Sequence, residues 1–222
     1  QRAKGSKLRY VSQRIRQMRK HPQPDLIWLE YEALPWVPLM IERSFFPRGV
    51  PIVSDYDDAV FHRYDLHRAA AVRWLLGRKI DRIMQRSKLV AVGNDYLAGR
   101  ARNAGARQVE IVPTVVDLSQ YTVCSEPTTN TSVQVGWIGT PNTWETFGKH
   151  LYSQLNDTLA THGARFKAVG AKLEAESVGE IDVVPWSEDT EVCAIQSMDV
   201  GVMPLTDTPW ARGKCGYKLI QY

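Results

Sequence analysis

The chain has 222 residues, 44% of them hydrophobic and 23% charged, with 28 Lys and Arg against 24 Asp and Glu for a net charge of +4. That balance excludes a disordered chain, and no run of 18 or more apolar residues is present to form a helix crossing a bilayer. The three cysteines, Cys124, Cys193 and Cys215, are odd in number and form no C-x-x-C. Neither a disulfide framework nor a zinc site is therefore expected, and a cytoplasmic, reducing compartment is.

Gln1 to Lys7 lead, without an initiator Met or a signal peptide, into an amphipathic helix marked by Leu8, Val11, Ile15 and Met18. Asp25–Glu30 reads as a buried strand. Pro35 then opens a helix that continues to Phe46, where Pro47 and Gly49 end it. Pro51–Asp55 is the next strand, followed by one long helix from about Leu66 to Gln85 with Ala69, Val72, Leu76, Ile80 and Ile83 on one face. Lys88–Val92 is a strand, Asn94 caps the helix that Gly105 ends, and Gln108–Val112 is a further strand.

The polar stretch 122–132 interrupts this alternation and reads as a linker. A second series begins with the strand Val133–Ile138. A helix carrying Phe147, Leu151, Leu155 and Leu159 stops at Gly163. Strands at Arg165–Val169 and Ile181–Val184, a short helix over Cys193–Met198 and a strand at Val200–Met203 follow. A last helix has just begun at Gly216 where the chain stops, and both ends read as cut. The expected organisation is an α/β domain over 1–121, a linker over 122–132 and a second α/β domain over 133–222, each with a parallel sheet.

Positive charge gathers at Arg9, Arg14, Arg16, Arg19 and Lys20, and again at Arg78, Lys79, Arg82 and Arg86. These are either solvated helix faces or patches for an anionic surface. Nucleic acid is set aside, because no reader fold or aromatic stacking motif accompanies the charge.

In open parallel sheets ligands collect at the carboxyl ends of the strands, so the residues after each strand are the candidates. Gly139 and Thr140 precede a helix N-terminus, which suits either an anion or a plain turn with a cap. After the last strand, Arg212, Lys214 and Lys218 surround Gly213 and Gly216, a set able to hold a diphosphate. The spacing matches neither a Walker loop nor a dinucleotide fingerprint. In the first domain Asp55, Asp57, Asp58 and His62 lie at a strand end, where they could bind a divalent ion, line a ligand cleft or simply cap a turn. Among the seven tryptophans, Trp186 and Trp210 follow strands and are the two able to face a ligand.

The order of these segments resembles the family 4 glycosyltransferases. Val112–Tyr121 is similar to the family's I-P-N-G-V-D-x-x-x-F segment. Val133–Gly139 resembles its first donor-domain strand and glycine loop, and Met198–Leu205 its A-D-V-x-V-x-P-S strand. The Gly213–Gln221 block falls where most members carry two glutamates separated by seven residues. Asp55–Phe61 is similar to the D-F-D-D-A-V-F segment of bacterial members in cell-wall and exopolysaccharide pathways.

The resemblance implies a GT-B fold, with two Rossmann-like domains, both incomplete here, facing each other across a cleft. It implies a retaining, metal-independent hexosyltransferase that needs no cofactor. A UDP- or GDP-sugar would be the donor and a glycan or lipid-linked molecule the acceptor. Gly139, Thr140, Arg212, Lys214, Gly216, Lys218 and Gln221 would bind the donor, with Gln221 on the ribose. Asp57, Asp58 and His62 would serve catalysis by positioning the acceptor or the donor sugar. Gly213 and Gln221 replace the family's two glutamates, which leaves a second reading: an inactive nucleotide-sugar-binding module of the same fold. The basic N-terminal helix is expected to give peripheral contact with the inner face of the membrane.

Overall fold

The computed structural model describes residues 5–20, 24–122, 132–172 and 181–222. Cys124 and all but the ends of the expected linker lie outside them. The chain divides into two compact units: Gln1–Pro113 with Asp207–Cys215, and Thr114–Thr206 with Gly216–Tyr222.

In the first unit β1 (Ile27–Glu30), β2 (Ile52–Tyr56), β3 (Leu89–Val92) and β4 (Val109–Ile111) form an all-parallel sheet in that order. Helices α1 (Gly5–Lys20), α2 (Leu39–Arg43), α3 (His62–Asp65), α4 (Ala70–Leu76), α5 (Lys79–Arg86) and α6 (Asp95–Asn103) connect or flank these strands. The apolar runs read as strands supply the core: Tyr56, Val90 and Val92 are sealed from water beside Leu34, Ile80, Met84 and Leu97. Asn94 caps α6 by accepting from the Leu97 amide at 3.0 Å.

Two helices differ from expectation. The stretch from Pro35 to Phe46 is helical only over α2, because Trp36 takes a left-handed backbone (φ 67°) and Pro38, with ψ at 141°, is extended and stands just outside the helix. The long helix starts only at Ala70 and is broken between Leu76 and Lys79, where Arg78 (φ −107°, ψ 13°) leaves the α-helical path. Lys79, expected on a polar face, is buried instead, three residues after Leu76 and four before Ile83 and so on their apolar face. Leu76, Ile80 and Ile83 are buried as their spacing requires, while Ala69 is exposed.

In the second unit β5 (Gln134–Ile138), β6 (Arg165–Val169), β7 (Ile181–Val184) and β8 (Val200–Gly201) form a parallel sheet in the order β7-β6-β5-β8. Helix α7 (Pro141–Thr143) passes through a π-helical turn, Trp144–Gly148, into α8 (Lys149–Thr161). The turn coincides with Trp144, buried edge-on against Trp137 at 5.3 Å between ring centroids. Helices α9 (Glu191–Gln196) and α11 (Tyr217–Gln221) belong to this unit, whereas α10 (Pro209–Arg212) belongs to the first.

The sequence predicts one domain over 133–222. The structure instead interrupts it at Asp207–Cys215, whose contacts are with the first unit. Trp210 and Cys215 pack against that unit's core. A Cβ on Gly213 would lie 2.4 Å from the Ala59 Cβ and 2.7 Å from the Ala59 amide nitrogen. No side chain fits there, which is a physical reason for glycine at the position where the resemblance expects a glutamate.

Candidate functional site

The carboxyl end of β1 is closed by buried charge. The Lys79 ammonium lies 2.7 Å from Glu32 Oε2 and 2.6 Å from Glu42 Oε2, and donates to the Leu34 carbonyl at 2.7 Å. Glu42 accepts from the Ala33 and Leu34 amides, both at 3.1 Å. The Tyr64 hydroxyl donates to Glu32 and accepts from the Trp36 amide at 3.0 Å. Every group is satisfied, as charges away from water must be. The result is a rigid loop that holds two left-handed residues, Tyr31 and Trp36.

At the end of β2 the expected catalytic residues separate. Lys214 Nζ lies 3.1 Å from Asp58 Oδ1, each side chain about a third exposed (31%). The Cys215 thiol donates to the Asp57 carbonyl at 3.0 Å, and Asn94 Nδ2 donates to the Lys214 carbonyl at 3.2 Å. Partial burial first, then the Asp58 charge, raise the Asp57 pKa against the pull of a backbone hydrogen bond and Lys214. Arg212 grips Asp207 through two bonds, Nε to Oδ1 at 2.7 Å and Nη2 to Oδ2 at 2.9 Å. Two of the three cations expected to meet a diphosphate, Arg212 and Lys214, thus carry carboxylate partners.

His62 takes another direction. Its Nδ1 is 2.8 Å from Asp65 Oδ1 and its Nε2 2.8 Å from the Tyr96 hydroxyl. Asp65 in turn pairs with Arg100 at 2.9 Å, and Arg100 with Asp81. The imidazole is the middle of a carboxylate–imidazole–phenol chain and lies apart from the Asp58–Lys214 pair in the hydrogen-bond network. Among the described residues no group of three or more His, Cys, Asp or Glu is placed to hold a metal ion, so Asp55, Asp57 and Asp58 do not converge as ligands.

The second unit carries the remaining candidates. A Cβ on Gly139 would lie 2.5 Å from the Trp137 ring and 2.7 Å from Thr143 Oγ1, so packing alone requires glycine. Thr140 forms a capping box: its amide donates to Thr143 Oγ1 at 2.9 Å, and the Thr143 amide donates back to Thr140 Oγ1 at 3.3 Å. Pro141 has no N–H, so the first turn has few amides left for an anion. Gly216 is left-handed (φ 68°) at the start of α11, and the Lys218 ammonium stands over the Trp137 ring at 5.2 Å.

Gln221 is buried, and its amide nitrogen donates to the Tyr121 hydroxyl and to Glu191 Oε1, each at 2.7 Å. Tyr121 also donates to Glu191 Oε1, and the Trp186 indole N–H donates to Oε2. Burial, and next the hydrogen bond to Glu191, push the Tyr121 phenol up. Tyr222 accepts from the Ile138 amide at 3.2 Å, and burial pushes its pKa up to about 12. Glu191 was missed by the sequence reading because nothing at its own position marks it. Two of its three partners, Gln221 and Tyr121, lie 30 and 70 positions away.

No family model matches the chain, and no curated relative does. Solved structures do. Sucrose-phosphate synthase from Thermosynechococcus elongatus is 10% identical over 89% of this chain and 55% of its own, with a TM-score of 0.60. The Escherichia coli trehalose-6-phosphate structure bound with UDP-2-fluoro glucose is 12% identical over 98% of this chain and 60% of its own, at 0.58. A trehalose-6-phosphate synthase studied for glycosyltransfer with retention is 11% identical over 90% and 58%, at 0.56. The chain spans somewhat over half the length of these structures. The likeness fixes the fold: two Rossmann-like α/β units with parallel sheets, the architecture of the GT-B glycosyltransferases.

Proposed function

We propose that the chain belongs to a retaining glycosyltransferase of the family 4 kind. It would move a sugar from a UDP- or GDP-sugar to a glycan or lipid-linked acceptor in a bacterial cell-wall or exopolysaccharide pathway, without a metal ion or cofactor. The observation that carries this reading is the meeting of three loops at the carboxyl ends of β5, β6 and β7. A Cβ on Gly170 would touch the Gly139 carbonyl at 2.2 Å and lie 3.2 Å from the Trp186 Cβ. That end of an open parallel sheet is where ligands bind, and the segments that resemble the family follow one another along the chain in the family's order.

In the proposed reaction the acceptor oxygen bonds to the anomeric carbon as the bond from that carbon to the diphosphate breaks. The acceptor proton passes to the departing phosphate oxygen on the same face. Gly139, Thr140, Gly216 and Lys218 serve the diphosphate and Gln221 the ribose. Arg212 and Lys214 exchange Asp207 and Asp58 for phosphate oxygens when the donor arrives. Asp57, Asp58 and His62 hold the acceptor side, His62 through Tyr96. The enzyme would work in the cytoplasm, with α1 against the inner face of the membrane; among the described residues no helix is long and apolar enough to cross it.

The test is release of UDP or GDP by the full-length protein from UDP-glucose and GDP-mannose, with and without a cell-wall glycan fraction. Lys214→Ala is expected to lower turnover about 100-fold. Unchanged turnover removes Lys214 from the site, and failure to bind or cleave either donor overturns the reading.

A further inference from the structure

We infer that Trp186 is the stacking platform for the aromatic base of a nucleotide, fixed in orientation by Glu191. The inference rests on the nucleotide-sugar reading above but assigns a residue and a ligand part which that reading leaves open. Trp186 follows β7 by two residues and is 53% exposed. Trp28, Trp36 and Trp74 are exposed to a similar or greater degree, so exposure only makes the Trp186 ring available, and its attachment is what singles it out.

Its attachment is specific. The indole N–H donates to Glu191 Oε2, while Glu191 Oε1 is held by Gln221 and Tyr121. The carboxylate is therefore fixed by segments preceding β5 and following β8, and it fixes the ring in turn. With its N–H already paired, the indole offers a ligand its apolar face. A planar π-system is the chemistry that face recognises best.

Its place along the sheet agrees. The order β7-β6-β5-β8 puts β7 two strands from β5, about 10 Å at the usual spacing. The left-handed Gly170 turn lies in the interval, where an added Cβ would fall 2.2 Å from the Gly139 carbonyl oxygen and 3.2 Å from the Trp186 Cβ. A nucleoside diphosphate lying across this face with its phosphates toward Gly139 brings its base to Trp186.

Isothermal titration of UDP, GDP and inorganic pyrophosphate into the full-length protein, wild type, Trp186→Ala and Trp186→Phe, tests this. Stacking on one ring is worth about 1–3 kcal/mol, so Trp186→Ala should weaken the better nucleotide about 5- to 150-fold. Pyrophosphate binding should stay unchanged and Trp186→Phe should recover most of the loss. Equal nucleotide affinity in wild type and Trp186→Ala overturns the platform while the donor-binding reading stands. Parallel loss of nucleotide and pyrophosphate, or no recovery with Phe, makes the ring structural and overturns it too. If the wild type binds neither nucleotide, the platform and the proposed function fall together.

Discussion

Beyond β1 two carboxylates and an ammonium are sealed from water, whereas beyond β7 one carboxylate and an indole ring remain partly in contact with it. Both clusters tie together segments far apart in the chain, and both are completely hydrogen-bonded. They differ in what is left over for a ligand. Glu32, Glu42 and Lys79 spend their bonding on one another and on the loop backbone. The Glu191 cluster spends its polar atoms and leaves a ring face open. Burial of charge marks scaffold beyond β1, and a ring fixed by a carboxylate marks the candidate site beyond β7.

The comparison breaks first at Lys79. Lys79→Met strands two buried carboxylates and should cost about 3–5 kcal/mol in urea unfolding, whereas Glu191→Gln, partly exposed, should cost under about 1 kcal/mol. Equal losses would erase the distinction between scaffold and site. Gly213→Glu restores the acid the resemblance expects, yet it drives a side chain into Ala59. A loss of about 1–3 kcal/mol is expected by the same measurement, and a neutral outcome would release Asp207–Cys215 from the first unit.

The smallest effect belongs to Asp57. Its pKa is raised in the folded state, so the ionised side chain costs stability above that pKa. The cost vanishes below the ordinary value of 3.8, where folded and unfolded chains are both protonated. Asp57→Asn should therefore melt slightly higher near pH 7 and match the wild type near pH 3. An advantage that grows toward acid would reverse the sign.

The sheets were legible because apolar runs of strand length need only local reading: β6 and β7 fall on the residues expected for them, Arg165–Val169 and Ile181–Val184. The cap at Asn94 was legible for the same reason. Trp36 was not, since a left-handed tryptophan is imposed by Tyr64, Glu42 and Lys79 rather than by its neighbours. Lys79 reads as one charge of a polar helix face, and its burial depends on Glu32 and Glu42, partners far away in the sequence. Of the candidate site, the glycines and cations were visible as types. Their pairing with Asp58 and Asp207 depends on contacts that no spacing encodes, and so does the role of Glu191.

The return of Asp207–Cys215 to the first unit has a consequence for biosynthesis. The thiol bond from Cys215 to the Asp57 carbonyl closes a loop of 158 residues. At about 5–20 residues per second a ribosome needs about 8–30 s to make that stretch. Throughout the interval the nascent first unit shows the surfaces of Ala59 and Gly93 that the late segment will cover. A cut at the linker would deliver that segment with the other half, so the two units are neighbours in the chain without being separable products of it.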